Sequence, residues 1–161
     1  MKKNALTRLV EKFIGKDCEV VMSDYFCYHP TEEIIAITLF EDNTANAEWK
    51  RYLKETFDFD LTRENLFAMS ILHELGHHYT VDLFDDDEWT EQATEVRLQG
   101  LTGSERYQAY YNQPIEKAAT MWAVEVFNEN KKVMRAWNHR LNCAVRHFEK
   151  LHSVKSSLTS F

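Results

Sequence analysis

The chain has 161 residues, 44% hydrophobic and 13% aromatic, which is enough apolar side chain for one domain with a buried core and too much for a disordered segment. A formal net charge of −7 argues against a nucleic-acid backbone as the main partner, because binding a polyanion needs a basic face. No stretch has the roughly 18 uninterrupted apolar residues of a membrane span. The charged N-terminus lacks the pattern of a secretory signal, and Cys18, Cys27 and Cys143 are scattered without a C-x-x-C pair, so the expected setting is a reducing cytoplasm.

In chain order, Ala5–Ile14 has the spacing of an amphipathic helix that ends near Gly15. The 19–28 run is rich in Val, Tyr and Phe. A turn at His29, Pro30, Thr31 and Glu32 separates it from a β-branched run at 34–40, and the two are expected to pair as a hairpin. A helix follows over 45–57. Thr62 then reads as an N-cap, with Glu64 in the first turn and Leu61 and Leu66 as a hydrophobic staple. In the helix it opens, Ala68, Ile71, Leu72, Leu75 and Tyr79 make a buried stripe, and Leu66, Ser70, His73 and His77 form the neighbouring face.

Within the acidic run 85–88, Asp87 is expected to cap a helix that continues over 89–98 to Gly100, and 104–111 makes another. Pro114 suits the first position of the next helix. Asn130 caps the last, whose stripe is Met134, Trp137, Leu141, Val145, Phe148 and Leu151. The expectation is an α+β domain over residues 1–152 with a small, antiparallel-containing sheet, followed by a short polar tail at 153–161.

Chemistry concentrates in residues 73–78. His73 and His77 stand four apart, one turn along the same helical face, and can reach a single cation. Neutral imidazole is a preferred ligand of zinc. Glu74 lies about 100° further round, beside such a metal rather than on it, where a carboxylate can take a proton from water. Gly76 is a poor helix former, and its presence implies close approach of another segment; an early weakening of the helix is the alternative.

A third ligand has two candidates. Glu116 falls in the first turn after Pro114, where the helix dipole favours the ionised carboxylate that binds metal. Ala119, Thr120 and Ala123 continue its face with small side chains, so this helix can pack closely on the His-bearing one. Glu95 is the rival.

The pattern His73, Glu74, His77, followed by Glu116, Ala119, Trp122 and Ala123 at E-x-x-A-x-x-[aromatic]-A spacing, resembles the ImmA/IrrE-type metallopeptidases of bacteria and their mobile elements. These are gluzincins, with H-E-x-x-H and a later Glu ligand. The resemblance implies a minimal zincin-like fold and a zinc endopeptidase. Its partner would be one specific regulatory protein, such as the repressor of a phage or other mobile element.

Zinc would leave one position for a water that Glu74 deprotonates for attack on a peptide carbonyl. Ile35 and Ile37, in the 34–40 strand, are expected to line an extended substrate added to the strand edge. Tyr110, Tyr111, His78 and His139 are all possible oxyanion donors, and the sequence does not choose between them. His29, His147 and His152 read as surface or cap residues. The competing class is a non-catalytic, zinc-stabilised protein that titrates a repressor or host defence factor. A helical interaction protein carrying a chance motif is a third reading.

Overall fold

A computed structural model of the chain describes residues 5–15, 18–39 and 41–158. Its order is α1 (Ala5–Ile14), β1 (Glu19–Met22), β2 (Cys27–His29), β3 (Ile34–Ile37), α2 (Asn43–Phe57), α3 (Leu66–Thr80), α4 (Asp86–Ala93), α5 (Gly103–Tyr111), α6 (Pro114–Glu129) and α7 (Lys131–Leu158). Single 3₁₀ turns lie at Val81–Leu83 and Val96–Leu98. This is a mixed α+β arrangement. No helix among the described residues is long and apolar enough to cross a membrane.

α1 buries Leu6, Val10 and Ile14 along one face and stops at Gly15, whose φ of +82° is one that L side chains rarely adopt. It packs on β1 and α7, where Phe13 stacks on Trp137.

The sheet departs from the expected hairpin. The 19–28 run is broken by a bend at Asp24 and Tyr25 into two strands. β2 pairs antiparallel with β3 (Tyr28 opposite Ile35), while β1 pairs parallel with β3 from the other side (Val20 opposite Ile35), giving the order β1-β3-β2. β3 is therefore the central strand. Ile35 and Ile37 are 0% exposed and Ala36 only 2%, so both faces are covered. An unbroken apolar run is the mark of a strand buried on both faces, and that is why this one sits in the middle. The expectation that Ile35 and Ile37 line a substrate is thus corrected: their side chains are core, and β1 and β2 flank their strand. Phe40, the end of the expected strand, lies outside the described residues.

Five helix boundaries also move. α2 starts before residue 45 because Asp42 caps it, accepting from the N–H groups of Thr44 and Ala45. α3 starts at Leu66, after a turn in which Thr62 and Asn65 exchange backbone-to-side-chain bonds of 2.7 and 3.3 Å. α4 is capped by Asp85, not Asp87: Asp85 accepts from the Glu88 N–H, and Glu88 reaches back to the Asp85 N–H, which satisfies two donors that Asp87 could not. The 89–98 segment is not one helix, since Glu95 takes a left-handed conformation (φ 57°) between α4 and the following 3₁₀ turn. At the far end, α7 continues through residues 153–158 of the expected tail.

α3 is the organising element. It packs on β2 and β3, on α7 and, most extensively, on α6. Met69, Ile71 and Leu72 are wholly buried within it.

Candidate metal centre

The α3–α6 contact begins with a missing side chain. A Cβ on Gly76 would lie 2.4 Å from the carbonyl oxygen of Ala119, so only glycine lets the two backbones meet there. Ala119, Thr120 and Ala123 are 0% exposed and complete the small-residue face. Gly76 thus marks close approach and not a weakened helix, since α3 continues to Thr80.

That proximity brings Glu116 to the imidazoles. Its Oε2 is 3.0 Å from His73 Nε2 and 3.6 Å from His77 Nε2, and one ligand atom from each of the three lies within 4.8 Å of the others. Side-chain exposure is 11% for His73, 8% for His77 and 7% for Glu116. Three such bases converging in a nearly closed space can hold one metal ion. Burial pushes the Glu116 carboxyl up, but the neighbouring imidazoles of His77 and His73 outweigh it and hold the group well below the usual range, ionised as a ligand must be.

Neighbouring elements fix these side chains. His73 Nδ1 is 3.0 Å from Thr120 Oγ1; with Nε2 turned to a metal, Nδ1 carries the proton and donates it to that hydroxyl. The start of α6 is tied down by α4: the Ile115 N–H, otherwise without a helical acceptor, donates to the buried Gln92 Oε1 at 2.9 Å. The rings of Trp49 and Trp89 lie edge-on to His73 and His77. His77 Nδ1 is buried with no hydrogen-bond partner among the described residues.

Glu74 stands outside the ligating trio and is 7% exposed. Burial, above all, raises its carboxyl to about 7; positive charge on His73 opposes this, the Glu116 carboxylate adds to it, and the Tyr28 backbone N–H, donating to Glu74, opposes it. Edge strand β2 therefore faces the site. Its Cys27 thiol is raised to about 11, chiefly by burial and further by Glu74 and Glu116.

The remaining sequence candidates separate clearly. Glu95 pairs with Arg106 and is not in the cluster, so Glu116 is the carboxylate beside the imidazoles. Tyr110 hydrogen-bonds Glu116, and its phenol is pushed up by burial and then by the Glu116 and Glu74 carboxylates. Tyr111 is not available as an oxyanion donor: its hydroxyl donates to the Ala45 carbonyl at 3.1 Å. His78 Nδ1 is 3.0 Å from the Tyr28 hydroxyl, and His139 lies exposed on α7 beside Cys143. The expected surface position holds for exposed His147, while His29 lies half-buried in β2.

Thr120 and Gln92 were not among the sequence candidates for the site. Thr120 carries a weak signal, four residues after Glu116 on the same helical face. Gln92 has none, because its partner is 23 positions away.

No protein-family model, curated protein or solved structure matches the chain.

Proposed function

We propose that the protein is a zinc-dependent endopeptidase that cuts a specific regulatory protein in the cytoplasm. The observation that carries this reading is the division of labour on α3: His73 and His77 join Glu116 in the trio, while Glu74 is kept out of it and held by the Tyr28 N–H. Two imidazoles and one carboxylate are a donor set that zinc accepts with a fourth position to spare. When bound, zinc supplies Lewis acidity that polarises a carbonyl and acidifies water.

The chain's own groups do the rest. Glu74, whose carboxyl burial raises above the ordinary range, takes the proton of the attacking water and returns it to the leaving amine. Tyr110 is our candidate oxyanion donor, once its hydroxyl turns from Glu116 to the substrate. Thr120 keeps His73 in one tautomer. Strand addition moves from β3 to β2, which lies at the sheet edge and turns its Tyr28 N–H towards Glu74. The likeness of the motif to ImmA/IrrE-type enzymes supports a regulator, such as a repressor, as the substrate. Cysteines scattered along the sequence without a C-x-x-C pair suit a reducing compartment.

One observation favours a second reading. The trio is close to sealed, as in structural zinc sites, which suits a zinc-stabilised protein that titrates a repressor or host defence factor. Glu74→Gln separates the two. For the protease, zinc content and fold persist while cleavage of the partner falls by roughly 10²–10⁴-fold or more. Full biological activity in Glu74→Gln, with loss in His73→Ala, would establish the binding protein instead.

A further inference from the structure

A cleft of about 820 Å³ opens between the bend before β2, the start of α2, the start of α3 and the outer half of α7. It adjoins the metal centre on three elements. Phe26 precedes Cys27 on the strand that faces Glu74; Ser70 is one turn before His73; Asn46 is one turn before Trp49, whose ring meets His73. A chain lying along the β2 edge would therefore run into this cleft.

The lining has two textures. Phe26, Leu39, Leu66, Phe67 and Val145 give an apolar floor, with the Phe26 and Phe67 rings edge to face. Asp24, Glu41, Glu64 and Glu149 stand exposed on the rim, beside Asp42, which caps α2. Only Arg63 and Arg146 oppose them, so the rim is acidic within a chain that is itself at −7. Asp85 and Glu88 of the other acidic run are engaged in capping α4.

We propose that this cleft is the specificity subsite for a cationic, amphipathic segment of the substrate, with Lys or Arg at the rim and aliphatic or aromatic side chains on the floor. The assignment rests on the protease reading for its link to the scissile bond. Charge complementarity across the rim selects the partner, and the floor supplies the contact area. A nucleic acid is repelled by the same rim.

The probe is a fluorescein-labelled peptide alternating Lys or Arg with Leu or Phe, titrated into zinc-loaded Glu74→Gln protein. A matched peptide with Glu in place of each basic residue is the comparison. The cationic peptide should bind and weaken with added salt, and the acidic one should not bind. Asp24→Lys combined with Glu149→Lys should weaken binding about tenfold or more, with zinc content and circular dichroism unchanged. The same reversals at Glu125 and Glu129 on α6, outside the cleft, should leave it intact.

Equal binding of both peptides, or an unaffected double variant, overturns the proposal. A dimer of the protein that the double variant abolishes would assign the cleft to a second copy and equally overturn it. Glu74-dependent cleavage confined to acidic peptides would remove the subsite and leave the protease standing. Charge-selective binding, with no Glu74-dependent cleavage of the bound partner, would keep the cleft and remove the protease.

Discussion

At the scale of single residues, the site depends on which atoms of His73 are free. Its Nε2 faces Glu116 and its Nδ1 faces Thr120, so one hydroxyl determines which nitrogen is left to bind metal. Thr120→Val keeps the shape at this fully buried position and deletes the acceptor. Zinc affinity, measured by competition with a chromogenic chelator, should fall roughly 10–100-fold, and Thr120→Ser should restore most of it. Equal affinity in the Val variant would show that the hydroxyl does not orient the ring. His73, Glu74 and His77 were legible because their relation is local: helical spacing alone puts the two imidazoles together and the carboxylate beside them. Glu116 was legible as one of two candidates, since a helix start favours a carboxylate but does not say which imidazole it meets. Thr120 and Gln92 act across helices: Thr120 is marked only by its spacing from Glu116, and Gln92 by no local pattern.

At the scale of elements, the candidate metal centre is a consequence of how near α3 and α6 can come. Gly76→Ala is a clean test because two effects oppose each other. Alanine improves helix propensity by about 1 kcal/mol, which alone would stabilise α3. Its Cβ, however, would lie 2.4 Å from the Ala119 carbonyl oxygen, a backbone atom that moves only if a helix moves. We expect the clash to dominate, with a net loss of roughly 1–3 kcal/mol in chemical denaturation and weaker zinc binding as Glu116 recedes from the imidazoles. A variant more stable than wild type would mean that α6 shifts without strain. The same scale shows where sequence patterns stop. Helices were readable from their stripes and caps, within a turn at most ends. The sheet was not: the β2–β3 hairpin follows from the turn at 30–33, but parallel pairing of β1 on the far edge of β3 is a tertiary choice. It follows from burying Ile35, Ala36 and Ile37 on both faces, and it leaves β1 and β2 as the sheet's edges.

Over the whole molecule, the candidate site joins two helices distant in sequence, so a metal bound there would be thermodynamically linked to the fold. His73 and Glu116 are separated by 43 residues, and the helices carrying them make the most extensive contact in the protein. A ligand that binds only the folded state stabilises by RT ln(1 + [L]/Kd), about 4 kcal/mol at a thousandfold excess over Kd. For a domain of this size that should raise the melting temperature by roughly 10 °C, and a chelator should reverse the rise. His77→Ala should abolish the zinc-dependent shift. It should also destabilise the metal-free protein, because the buried Glu116 carboxylate loses one of the two imidazoles beside it. Glu74→Gln should retain the full shift, since Glu74 stands outside the trio. A zinc shift lost in Glu74→Gln but kept in His77→Ala would reverse the roles assigned to the two residues. No shift in the wild-type protein would leave the three convergent side chains without a metal, and with it would go the chemistry built on them.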